Sequence, residues 1–197
     1  MINPVLANSV APPGNASASG WLKRFMHLLP DGQVLDLACG QGRNTHLLLE
    51  HGCEVLALDR DVQSFTDLAI AGANTMRHDL ESGGDGYSWP FPEDTFAAII
   101  VCNYLCRPLF PHLLASLKAG GVLIYETFAQ GNEVFGKPSN PAFLLQRGEL
   151  LTQMQSNSKL IITVIAYEEG YVDEPKPALI QRICARKSEK TSVLDKL

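Results

Sequence analysis

Three carboxylates sit in or at the ends of three apolar runs. Asp36 lies inside Val34-Leu35-Asp36-Leu37, Asp59 closes Glu54–Asp59, and Asp79 ends the stretch that begins at Asn74. Between the first two lies Cys39-Gly40-Gln41-Gly42-Arg43-Asn44, a glycine turn that leads into a helical pattern. Such a turn offers backbone N–H groups and a helix start to a ligand. A triphosphate loop needs Lys and Ser or Thr after its last glycine, and here Arg43-Asn44 follows Gly42. A dinucleotide turn needs a third glycine for close helix–strand packing, and Thr45 occupies that position. Asp36, four residues before Gly40, repels a pyrophosphate and can help hold an ammonium group. Asp59, nineteen residues after Gly40, stands where an acidic side chain accepts two ribose hydroxyls. Asp79 stands where a carboxylate accepts from an adenine amino group. S-adenosylmethionine carries all three features.

The elements around these residues alternate. Gly20–Leu29 has helical spacing in Trp21, Leu22, Phe25, Leu28 and Leu29, ended by Pro30-Asp31-Gly32. A strand over 33–38 precedes a helix over Arg43–His51 that Gly52 caps. A strand over 54–59 follows. Asp61 is the expected N-cap of a helix with Val62, Phe65, Leu68 and Ala69 on one face. A short third strand covers 74–80, and the glycine- and proline-rich stretch 81–95 reads as a loop. The buried run 95–103 is a fourth strand, and Pro111 starts a helix that ends at Gly120-Gly121. Strand five is 121–128. A long loop over 128–148, with one helical turn after Asn140-Pro141, leads to a helix over Glu149–Gln155. Two strands, 159–168 and 177–186, complete the pattern. Near-continuous apolar strands alternating with amphipathic helices predict an α/β fold: a doubly wound, mostly parallel, seven-stranded sheet with one antiparallel strand near the C-terminus. Such a sheet binds its ligand outside the carboxyl ends of the strands. Residues 1–20 read as a flexible uncharged lead, 21–187 as one domain and 188–197 as a polar tail.

"VLDLACGQGRN…VLALDRD…RHDLE" resembles motifs I to III of the class I S-adenosylmethionine-dependent methyltransferases, over roughly residues 33–126. Motif I of that class is [DE]-x-G-x-G-x-G, and Ala38 stands at its first glycine. "CGQGRN" is similar to the tellurite-resistance and thiopurine-type small methyltransferases. The stretch from Asn103 to Leu151 is similar to bacterial methyltransferases related to the tellurite-resistance enzymes. The resemblance implies a Rossmann-like fold and a cofactor site of Asp36, Ala38, Gly40, Gly42, Arg43, Asn44, Asp59, Arg60, Asp79, Leu80 and Asn103.

Methyl transfer from a sulfonium asks the protein to orient and desolvate the acceptor. A general base is needed only where the acceptor must lose a proton. Tyr104 and Glu126 are candidates for handling a proton. Arg107 and Lys137 are candidates for guiding an anion. "CNYLC" after strand four lacks the N-P-P-Y of amino-methylating enzymes. The loop over 127–146, with Phe128, Phe135, Phe143 and Lys137, is expected to close over the acceptor together with Trp21 and Phe25.

The expected activity is methylation of a small acceptor: a thiol, an oxyanion or a metabolite. An NAD-dependent oxidoreductase and a non-catalytic S-adenosylmethionine-binding module are the other two classes. A net charge of −5 excludes broad phosphate neutralisation, so a nucleic-acid partner is not expected. The sequence holds no apolar run of membrane-spanning length. Five cysteines without C-x-x-C predict reduced thiols in a cytoplasmic protein, and no metal site is expected. The oligomeric state is left open.

Overall fold

The computed structural model describes residues 17–156 and 160–188. Most of the expected flexible lead (residues 1–16) and of the expected tail (189–197) lies outside these residues. Ser17 to Ser19, assigned to the lead by sequence, are ordered against the domain.

Seven strands form one sheet: β1 Gln33–Leu37, β2 Glu54–Asp59, β3 Asn74–Arg77, β4 Phe96–Cys102, β5 Leu117–Phe128, β6 Ile162–Val172 and β7 Ala178–Lys187. Their order is β3-β2-β1-β4-β5-β7-β6. The pairs from β3 through β5 are parallel, and β7 runs antiparallel to both of its neighbours. The expected doubly wound sheet is therefore present. The order in which strands are added reverses between β1 and β4, which places a crevice at the carboxyl ends of these two central strands.

β4 explains why its run is apolar on both faces. Ile99 and Val101 pack with α4 (Phe110–Ser116) and α5 (Glu149–Gln155), whereas Ala98 and Ile100 pack with α1 (Gly20–Phe25) and α2 (Arg43–Glu50). Strand alternation thus sends successive side chains into two separate cores. A small third core forms where Leu68 of α3 (Phe65–Ile70) meets Ala57 and Cys39.

Several boundaries differ from the sequence reading, among them an earlier end of the first helix at Phe25 and a later sixth strand, Ile162–Val172. Asp61 does not cap α3. Its Oδ1 accepts from the Gln63 N–H, and the helix begins four residues later, with only Leu68 buried. The helix after Pro111 stops at Ser116 rather than at the glycine pair. Gly120-Gly121 lies inside β5, where the register against β4 shifts between Phe96 and Ala98. β3 ends at Arg77, so Asp79 follows the strand by two residues instead of closing it.

Candidate functional site

The glycine turn leaves β1 through backbone that side chains rarely adopt. Ala38, Gly40 and Gly42 have φ of 52°, 56° and 77°. A Cβ on Gly42 would come within 2.2 Å of Leu68, so a side chain there would collide with α3. The Ala38 methyl is tolerated where the class has glycine.

Asp59 holds this turn from β2. Its Oδ2 accepts from the Gly40 N–H at 2.8 Å, and its Oδ1 from the Asp61 N–H at 2.9 Å. A carboxylate has about four lone-pair sites, so each oxygen keeps capacity for a ligand hydroxyl. Asp59, Arg60, Asp79, Leu80, Ala38 and Tyr104 line one cleft of about 240 Å³. Asp79 uses one oxygen to accept from the Glu81 N–H. On the other side of the turn, Ala38, Gly40, Arg43, Asn44, Asn103 and Cys102 line a cavity of about 570 Å³. The two spaces meet at Ala38. The first, flanked by Asp59 and Asp79, is the cleft that the sequence reading assigns to a nucleoside, and the second lies on the far side of the turn from it.

Asp36 does not line either space. It is buried, and its Oδ2 accepts from the Thr45 hydroxyl at 2.6 Å. Burial raises its pKa to about 6, against the lowering effects of Thr45 and Arg43. Asp36, expected to help hold an ammonium group, thus braces the first turn of α2 from beneath the glycine turn. Thr45, absent from a dinucleotide turn, has its own task as the partner of that buried carboxylate.

Arg43 and Asn44, expected at the cofactor, grip the chain before α1. Arg43 Nη1 donates to the Ser17 carbonyl at 2.9 Å, and Asn44 Oδ1 accepts from the Ser19 N–H at 3.0 Å. The Ser19 hydroxyl accepts from the N–H groups of Trp21 and Leu22 and donates to Glu126 Oε1 at 3.0 Å. Sequence reasoning missed Ser19. Its signal was a serine directly before an apolar helical pattern, which is an N-cap signature.

The four candidates for catalysis separate. Tyr104 lines the nucleoside cleft, and burial, then Cys106 and Glu81, pushes its phenol well above the usual value, so it is no base at neutral pH. Arg107 is spent on structure. It pairs with Glu149 through two nitrogens (2.7 and 3.0 Å) and donates to the Ala142 and Leu144 carbonyls. Lys137 is exposed and lines none of the spaces described here, and Phe135 packs on Tyr171 with ring centroids 5.3 Å apart. Neither reaches the crevice as a lid. Glu126 does reach a third cavity, of about 250 Å³, with Ser19, Asn103 and Phe128. One of its oxygens meets Ser19, and the other faces Arg182 at 3.5 Å.

The five cysteines are unpaired, and burial pushes Cys102 up to about 12 and Cys184 to about 11, so neither is an activated thiolate. Among the described residues, no cluster of three or more His, Cys, Asp or Glu gathers as metal ligands, and no helix is long and apolar enough to cross a membrane.

Residues 34–121 match the sequence model of a methyltransferase domain. No curated protein sequence matches the chain. Among solved structures, TehB from Haemophilus influenzae superposes with a TM-score of 0.69 at 18% identity, over 87% of this chain and 63% of that one. This chain thus spans less than two thirds of TehB. An S-adenosylmethionine-dependent methyltransferase from Mesorhizobium loti gives 0.63 at 18% identity, over 83% and 96% of the two chains. A putative enzyme of the same description from Listeria monocytogenes gives 0.63 at 16%, over 86% and 99%. These likenesses show the fold. The matched segment contains the glycine turn and the cleft flanked by Asp59 and Asp79. Ser19, Glu126, Phe128 and the β6–β7 hairpin lie outside that segment.

Proposed function

We propose that the chain methylates a small molecule held beside the glycine turn. The observation that carries this reading is the pair of spaces joined at Ala38, one flanked by the carboxylates of Asp59 and Asp79 and the other sharing Arg43 and Asn103 with the cavity that Glu126 lines. Asp59 holds the ribose, Asp79 and Leu80 the adenine, and Gly40, Gly42 and Asn103 the amino-acid arm. The cofactor supplies a methyl carbon on a sulfonium, and transfer forms a bond from that carbon to the acceptor while the carbon–sulfur electron pair stays on sulfur. The chain's own residues orient the acceptor and keep water out. Arg43 and Asn44 do so indirectly, by pinning Ser17 and Ser19 over the junction of the two larger cavities. Glu126 fixes the same segment from β5.

A small acceptor is favoured by the 250 Å³ cavity on the acceptor side and by the net charge of −5, which disfavours a nucleic-acid substrate. Five unpaired cysteines suit a reducing, cytoplasmic setting. The test has two stages. Calorimetry with adenosylhomocysteine measures the cofactor site. Transfer of a labelled methyl group to a panel of thiols, oxyanions, small metabolites and tRNA then identifies the acceptor. Label appearing only in tRNA would refute the small-molecule reading.

A further inference from the structure

The cavity beyond Glu126 has a chemistry of its own. Phe128, Val172, Pro175, Ala178 and Ile180 give it an apolar wall, built from the end of β5 and the hairpin that joins β6 to β7. Its volume of about 250 Å³ equals about eight liquid waters at about 30 Å³ each. That admits a ring or a short branched chain, not a polymer.

Its charges are unevenly matched. Glu126 is only 14% exposed, and its charge is answered by Arg182 and by the Ser19 hydroxyl. Lys23, Arg43 and Lys176 also line the space, with the exposed Glu174 as the other carboxylate. Among the described residues, Lys23 and Lys176 make no ion pair, and Arg43 spends one N–H on a carbonyl. Lys176 Nζ stands 5.6 Å from the Phe128 ring centroid, so cation and apolar wall adjoin. Lys23, Arg43 and Asn103 line both this cavity and the 570 Å³ one. The cationic side therefore faces the junction with the cofactor space. No histidine lines the smaller cavity.

From these observations we infer that the cavity between Glu126 and the β6–β7 hairpin is the acceptor seat, and that it takes a small organic monoanion with an apolar body. The inference rests on the methyltransferase reading above and adds the acceptor's chemical class. The anionic atom lies among Lys23, Arg43 and Lys176, and the apolar body lies against Phe128 and Ile180. Methylation of such an anion releases no proton, because its negative charge and the sulfonium's positive charge cancel. The seat then needs no free base, consistent with the engagement of Glu126 and the position of Tyr104 in the other cleft.

Saturation-transfer NMR on the full chain tests this, with and without adenosylhomocysteine. The probes are benzoate against benzamide and thiophenolate against thioanisole. At least one anion is expected to bind at least tenfold more tightly than its neutral counterpart. Lys176→Glu, at an exposed position, should weaken that anion at least tenfold. Ala178→Phe, which fills the cavity, should abolish its binding. Adenosylhomocysteine affinity should stay within twofold in both variants. The seat is overturned if neither anion binds in either form, if the neutral probes bind equally well, or if Lys176→Glu leaves anion binding unchanged. Failure of adenosylhomocysteine alone to bind the unmodified chain overturns the cofactor reading instead, since the anions are also titrated without it.

Discussion

Asp59 and Asp36 are both acidic and both close to the glycine turn, yet they do different work. Asp59 keeps free lone pairs at the mouth of the nucleoside cleft while it ties down Gly40. Charge-assisted hydrogen bonds to two hydroxyls contribute about 2 kcal/mol or more. Asp59→Ala should weaken adenosylhomocysteine by at least about 30-fold in calorimetry, and unchanged affinity would remove it from the site. Asp36 is different because its ionisation works against the fold. Its folded pKa of about 6 exceeds the ordinary 3.8, so between those values the folded state binds more protons than the unfolded chain. Stability from this group is therefore present at low pH and lost as pH rises through about 6. A shift of about two units corresponds to about 3 kcal/mol. In urea melts, Asp36→Asn minus wild type should grow more favourable by about that amount from pH 4 to pH 7. A flat difference would show that Asp36 is not buried as described. The carboxylates could be read from sequence because they follow apolar runs at set spacings. Their division of labour could not, since it depends on Thr45 lying 2.6 Å from Asp36 across the turn.

At the scale of elements, the strands were legible wherever the core dictated them. β2 and α5 have the bounds that the sequence predicts, and β4 is apolar because both its faces are covered. Less legible were ends set by local hydrogen bonds, such as the late start of α3, and walls made by distant segments. The segment after β5 is the clearest case. Its length and its aromatics suggested a moving lid, but it is tied down: Arg107 bonds two of its carbonyls and Glu149, and Gln130 donates to the Leu145 carbonyl. The Arg107–Glu149 pair is 34% and 12% exposed, and Glu149 also accepts from the Gln146 N–H. Truncating one partner of such a pair leaves the other poorly matched, at a cost of about 2–4 kcal/mol. Arg107→Ala should therefore lower the melting temperature by several degrees and raise amide exchange over residues 141–149. If Arg107 instead guides an anion, stability and exchange will stay near wild type. At the other end of the crevice, Ser19→Ala removes the cap of α1 and a partner of Glu126, and should cost about 1 kcal/mol or more. Faster exchange confined to residues 19–25 would locate that loss, and unchanged exchange there would contradict it.

For the whole molecule, the proposed cofactor site and the proposed acceptor site come from different parts of the chain. The first is built from β1 to β4 and follows the motifs. The second brings together Ser19 before α1, Glu126 on β5 and the β6–β7 hairpin, which meet only after the sheet has formed. That separation is why the cofactor was readable from spacing and the acceptor wall was not. It also sets what the molecule must refuse. With Thr45 in place of the third glycine and Asp36 buried beneath the turn, a pyrophosphate faces a crowded helix start over a buried acidic group. Thr45→Gly deprives Asp36 of its partner, so it should cost about 1–3 kcal/mol of stability and still create no NAD binding. The most direct measurement of the central claim is a calorimetric titration of the full chain with adenosylhomocysteine and, separately, with NAD. The account predicts one-to-one binding of adenosylhomocysteine, weakened at least 30-fold by Asp59→Ala, and no heat from NAD. Saturable NAD binding with no response to adenosylhomocysteine would contradict it.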